Sequence, residues 1–163
     1  MEEEQVLELL KTLRHEWLNR LQLVRAYGAI GDEAAIDVLS AKYREQATRE
    51  GLLSTMNLPK TALLLMRAEW SGLAIDYDVI RKPEGIIDER LAEITEAAIQ
   101  MIAIGEGEVS LTFHEGVTIE IYRDHLDVSR ITHLVTPMEI ESQTSSECVI
   151  EIQGILKRDT GQE

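Results

Sequence analysis

The spacing of apolar residues near the N-terminus limits most tightly what this chain can fold into. Val6, Leu10, Leu13, Trp17, Leu21 and Val24 follow one another at intervals of three or four. At 3.6 residues per turn they form one stripe, which predicts an α-helix over residues 5–27. Gly28 and Gly31 are expected to stop it, because glycine accepts the left-handed conformation that ends helices. Asp32 then suits the N-cap of a second helix, with Ile36, Leu39, Tyr43, Ala47, Leu53 and Met56 as its apolar series. Two long helices joined by a short turn make an antiparallel hairpin. A hairpin cannot bury both stripes by itself. A second copy related by a twofold axis would complete a four-helix bundle, so the pattern predicts a homodimer.

The period changes after residue 57, which sets the expected division into a helical hairpin, residues 1–57, and a second domain, residues 58–163. Pro59 opens a helix predicted to run to Trp70, apolar on more than one face, with Gly72 as its stop. Leu73, Ile75, Tyr77 and Val79 then alternate with Ala74, Asp76 and Asp78, a strand with one wet face. Lys82 to Gly85 reads as a turn. Ile87, Leu91, Ile94, Ala98 and Met101 mark another helix, with Asp88 as its expected N-cap and Gly105 as its expected stop. Val109, Leu111 and Phe113, then Val117, Ile119 and Ile121, alternate around His114-Glu115-Gly116, which predicts a β-hairpin. Cys148 to Ile152 is expected to be a last strand, Ser142 to Ser146 a loop, and residues 158–163 a frayed tail. Residues 124–147 give no clear pattern. The fold class expected is α+β.

Charge narrows the partners. The chain carries a formal charge of −14 in 163 residues. Residues 1–70 hold 9 Lys and Arg against 11 Asp and Glu, while residues 71–163 hold 7 against 19. Such an acidic second half is a poor host for nucleic acid or an anionic membrane. The acidic start, Glu2-Glu3-Glu4, is unlike a signal peptide. The apolar run Ala62 to Met66 is too short to span a bilayer. One cysteine, Cys148, permits no internal disulfide and is expected to fill a strand. Together these features predict a cytoplasmic protein.

One residue stands apart chemically. His15 lies about 165° round the wheel from the centre of the first apolar stripe, in the middle of the polar face. Leu18 and Leu23 flank it as a candidate docking patch. Metal ligation would want partners at i+3 or i+4, but those positions hold Leu18 and Asn19. No serine or cysteine nucleophile is paired with it by local sequence. An exposed imidazole, with an ordinary pKa of about 6.5, can itself serve as a nucleophile. Attack on an aspartyl phosphate would give phosphohistidine. Glu16 is a candidate to orient the ring. Lys11, Arg14 and Arg20 are candidates to offset phosphate charge. His114, His125 and His133 are expected to be structural or surface residues, and Asp76 and Asp78 to be solvated.

The stretch Leu13-Arg14-His15-Glu16-Trp17-Leu18-Asn19-Arg20-Leu21-Gln22 resembles the phosphoacceptor motif of the sporulation initiation phosphotransferase B family, phosphorelay proteins of spore-forming bacilli. It is also similar to the H-box of citrate-type sensor kinases, in which a histidine, an acidic residue and an asparagine at i+4 recur. Leu58-Pro59-Lys60-Thr61-Ala62-Leu63-Leu64-Leu65-Met66, followed by Glu69-Trp70, resembles the proline-led helix after the hairpin in the same family. The resemblance implies a dimeric four-helix bundle and a C-terminal α/β domain like a degenerate histidine-kinase ATPase domain. It implies a histidine phosphotransferase in which His15 carries a phosphoryl group between two response-regulator receiver domains. Arg14, Glu16, Leu18, Asn19, Gln22 and Leu23 would dock or orient, and the receiver would supply Mg²⁺.

A kinase would further need a nucleotide site. The region after residue 70 contains no asparagine to help hold magnesium and no GxGxG run. Gly105-Glu106-Gly107-Glu108 puts carboxylates where phosphates need donors. Relay without ATP is therefore expected, with no cofactor of the chain's own. The alternatives are a histidine-kinase core and a non-catalytic regulator that binds a receiver or kinase.

Overall fold

Both ends of the first turn are set by local chemistry. In the computed structural model, which describes residues 3–154, α1 spans Glu3–Ala29 and α2 spans Glu33–Thr55. α1 continues through Gly28. Only Gly31 takes the left-handed conformation, at φ 72°, and there the chain reverses. The Ala35 amide donates to Asp32 Oδ1 at 3.0 Å, so Asp32 caps α2 as its position predicts.

Contacts divide the chain into two compact units, Met1–Gly51 and Leu52–Glu163. The last turn of α2 lies in the second unit, where Leu53 and Met56 join the core. The first unit is thinly packed, and α1 contains no buried residue. Leu9, Leu13, Glu16, Arg20 and Tyr27 of α1 are half-buried, as are Ile36, Leu39, Tyr43 and Gln46 of α2. The predicted α1 stripe is a different face. Apart from Leu13 it stays open, with Trp17 60% and Leu21 59% exposed.

The second unit is an α/β sandwich. Helix α3 (Pro59–Trp70), strand β1 (Ile75–Val79), helix α4 (Asp88–Gln100), β2 (Glu108–Phe113) and β3 (Val117–Tyr122) follow in order. A short α5 (Ser129–Thr132), a 3₁₀ turn (Pro137–Glu139), β4 (Ile140–Gln143) and β5 (Glu147–Ile152) complete it. The sheet order is β1-β2-β3-β5-β4, parallel between β1 and β2 and antiparallel elsewhere. The alternation read in the sequence puts Leu111, Ile119 and Ile150 on one fully buried face, within the same apolar core as Leu65 of α3 and Ile94 of α4. The other face carries Asp78, Ser110, Glu120 and Glu151.

Three expectations need correction. Asp88 is the first residue of α4, not its cap, and its carboxylate serves the neighbouring helix. It accepts from the Lys60 amide at 2.8 Å, the Thr61 amide at 3.1 Å and the Thr61 hydroxyl at 2.8 Å. These are orphan donors at the start of α3, so the carboxylate ties two helices together. α4 ends at Gln100, five residues before Gly105. Gly107 is needed instead for close approach: a Cβ there would lie 2.6 Å from the Tyr122 carbonyl oxygen. Ser142 and Gln143 belong to β4, paired with Val149 and Cys148, so the loop is confined to Thr144, Ser145 and Ser146. The tail expected at residues 158–163 lies outside the described residues.

Glu139 makes the other cross-element tie. Its carboxylate accepts from Arg90 of α4 at 2.6 and 2.8 Å, and from the Thr136 amide and hydroxyl at 3.1 and 2.8 Å. Burial pushes its carboxyl up. The Arg90 and Thr136 hydrogen bonds outweigh that and leave it below the ordinary range.

Two predictions follow from these ties. Asp88→Ala should lower stability by about 2 kcal/mol in chemical denaturation, because it strips a cap and strands the buried Thr61 hydroxyl. An unfolding midpoint equal to wild type would contradict that cap. The Glu139 contribution should be present in full above the ordinary glutamate pKa, about 4.3. It should fade as pH falls through the depressed folded value. The stability gap between wild type and Glu139→Gln should therefore shrink as pH is lowered from 6 to 3, and a gap that held constant would rule the linkage out.

Candidate functional site

His15 sits in the middle of a 27-residue helix, so the backbone that presents it is fixed by hydrogen bonds on both sides. The imidazole is exposed. Its place on the wheel follows from two other faces. The half-buried face through Leu9, Leu13, Glu16 and Arg20 meets α2. The open stripe through Leu10, Trp17, Leu21 and Val24 lies about 80° further round. Together these faces take about 140° of the wheel, and on the far side a polar sector about 80° wide holds Glu8, Lys11, His15, Asn19 and Gln22.

The two leucines singled out in the sequence border that sector. Leu18 is 49% and Leu23 45% exposed, one on each side of His15. Arg14, Asn19 and Gln22 are exposed as well. Arg14 points round toward the open stripe, since its neighbours at i−4 and i+4 are Leu10 and Leu18.

Glu16 and Arg20 have another use. Arg20 Nε donates to Glu16 Oε1 at 3.3 Å, and Nη2 donates to Gln46 Oε1 of α2 at 2.7 Å. The guanidinium stacks 4.7 Å from the Tyr43 ring centroid and lies 6.0 Å from that of Trp17. Gln46 passes the chain of bonds on to Glu50 at 3.1 Å. Glu16 therefore turns toward Arg20 and the hairpin, away from the histidine it follows, and Arg20 is a cross-link between helices. Only the Glu16–Arg20 spacing of four was visible in the sequence. Tyr43 and Gln46 lie more than 20 residues away and carried no signal.

The other histidines are placed as expected. His114 lies in the β2–β3 turn, where Nδ1 accepts from the Gly116 amide at 3.1 Å and Nε2 contacts the Thr118 hydroxyl at 2.8 Å. The turn thus sets the tautomer with the proton on Nε2. His125 and His133 are exposed. Cys148 is buried in β5, and burial, followed by the charge of Glu147, pushes its thiol up. It is an inert core residue. Among the described residues, no group of three or more His, Cys, Asp or Glu side chains could hold a metal ion. No described helix is long and apolar enough to cross a membrane.

The second unit offers a depression of about 860 Å³ lined by Glu106, Glu108, Asp124 and His125. Arg123 at its wall is held by Glu106 at 3.1 Å and by the Met101 carbonyl at 2.7 Å. Nearby the outer sheet face is strongly acidic. Burial and the charge of Glu120 push the Tyr122 hydroxyl up, and a hydrogen bond to Glu151 raises the Glu141 carboxyl.

Comparison with known proteins bears on the first unit directly. Residues 1–54 match the family described as Sensor kinase SpoOB-type, alpha-helical domain. The match covers both helices of the hairpin and His15. The chain is also 22% identical over 134 residues to Sporulation initiation phosphotransferase B of Bacillus subtilis (strain 168), spanning 80% of this chain and 68% of that protein. These findings support the family read from the His15 and Pro59 motifs.

Proposed function

We propose that this chain is a phosphorelay histidine phosphotransferase acting in the initiation of sporulation. His15 accepts a phosphoryl group from the aspartyl phosphate of one response-regulator receiver domain and passes it to the aspartate of a second. The observation that carries this reading is an exposed imidazole, fixed on a long helix and bordered by two exposed leucines, inside the segment that matches the SpoOB-type helical domain. The 22% relative is named a phosphotransferase of sporulation initiation, which supports a phosphorelay-related role.

The chemistry asks little of this chain beyond placement. A ring nitrogen of neutral His15 attacks phosphorus in line with the receiver's carboxylate oxygen. The N–P bond forms, the P–O bond breaks, and the aspartate leaves with the electron pair. The ring keeps its remaining N–H proton or yields it to water. Such transfers run mainly on positioning and charge neutralisation. Mg²⁺ belongs to the receiver on this reading and neutralises phosphoryl oxygens from that side. Leu18 and Leu23 give the receiver an apolar footing, and Arg14, Asn19 and Gln22 a polar rim.

A homodimer is part of the proposal. Leu10, Trp17, Leu21 and Val24 are 36% to 60% exposed in a single chain. A stripe of that kind on one face is costly to leave in water. A second hairpin with the same stripe covers it and leaves both His15 sectors outward.

The reading is tested by mixing the full chain with a panel of receiver domains phosphorylated by acetyl phosphate. At least one should lose its label to the wild type and not to His15→Gln, as an acid-labile adduct. Labelling from ATP without a receiver would point to a kinase, and tight binding without transfer to a non-catalytic regulator. Analytical ultracentrifugation should find wild type dimeric and Trp17→Glu/Leu21→Glu monomeric with its second unit still folded. A wild type that stays monomeric at micromolar concentration would remove the bundle from the proposal.

A further inference from the structure

We infer that Lys11 is a catalytic residue of the His15 site, its ammonium contacting the phosphoryl oxygens during transfer. The inference rests on the phosphoacceptor role proposed for His15.

Three cations were available in the sequence, and the structure sorts them. Arg20 is committed to Glu16, Gln46 and the Tyr43 ring, with its side chain only 15% exposed. Arg14 adjoins His15 in sequence but lies about 100° round the helix, among Leu10 and Leu18. Lys11 is one turn before His15, on the same face. Residues four apart are surface neighbours with Cβ atoms about 5–6 Å apart. Helical side chains also lean toward the N-terminus, so the His15 ring inclines over the turn that carries Lys11.

Lys11 is also available. Its described ion pair is with Glu8, at 3.5 Å between side chains 59% and 67% exposed. Exposed pairs of this kind are weak and exchange readily. A phosphoryl group with two or more negative oxygens on His15 is a stronger partner than a single carboxylate. Lys11 carries three rotatable donors on a flexible stem, which lets it follow the group as it moves between nitrogen and oxygen. It stays protonated throughout and takes no part in proton transfer. It stabilises the charge on the oxygens while the N–P bond forms and again while it breaks.

This role concerns chemistry and not docking, so a small phosphoryl donor isolates it. Phosphoramidate is mixed with the full-length protein, and phosphohistidine is followed by ³¹P NMR. In each turnover the donor's P–N bond breaks, ammonia leaves, and the His15 N–P bond forms. Lys11→Met should lower the saturating rate of His15 labelling by about tenfold, with helicity and sedimentation unchanged. Lys11→Arg should restore most of it, and Lys11→Glu should be slower than Lys11→Met. Equal saturating rates for wild type and Lys11→Met overturn the inference while leaving His15 as the phosphoacceptor. A change confined to half-saturation does the same. Wild type labelled no faster than His15→Gln overturns the inference, and the phosphoacceptor role of His15 then stands or falls with the receiver assay alone.

Discussion

The structure depends on a geometrical limit of the helical hairpin. Two antiparallel helices share one face each, and α1 has more apolar circumference than one face can cover. The hairpin spends its shared face on Leu9, Leu13 and Tyr27, together with a charged pair, Glu16 and Arg20. Leu10, Trp17, Leu21 and Val24 remain outside. Both faces then act together on the polar sector. With one side of α1 against α2 and the adjacent side apolar, the polar residues gather on the remaining side, and His15 lies among them. The exposure of the imidazole is therefore a consequence of how the rest of the helix is used.

A polar network in the middle of the hairpin makes this orientation definite. Leucine faces alone tolerate small rotations and shifts of register. Arg20, held by Glu16 on its own helix and by Gln46 and Tyr43 on the other, is satisfied in one arrangement. Removing one partner from such a partly buried network leaves the others unsatisfied, so the network favours the arrangement in which all are paired. The same economy appears in the second unit. Asp88 and Glu139 each satisfy donors on a different element, joining α4 to α3 and to the 3₁₀ turn.

Much of this was legible in the sequence. The two long helices, the Pro59 helix, the β2–β3 hairpin and the last strand follow from period and punctuation, because each depends on neighbours within a few positions. The stretch around His15 that resembles a phosphoacceptor motif was legible for the same reason, since it is ten contiguous residues on one helix. Asp88 was misread because its first-turn position is equally compatible with serving its own helix or another. Residues 124–147 were unreadable because a four-residue helix, a 3₁₀ turn and a four-residue edge strand are too short to show a period.

What the sequence determined by itself was the set of local elements, the acidic balance of the second half, and a histidine opposite the main apolar stripe. Those are properties of spacing and count. Tertiary structure alone decided which apolar face of α1 meets α2 and that Glu16 and Arg20 belong to the hairpin. The reason is that a helix wheel shows which side chains share a face but not which face finds a partner. That choice is made by Tyr43 and Gln46, residues more than 20 positions away that no local pattern connects to the histidine.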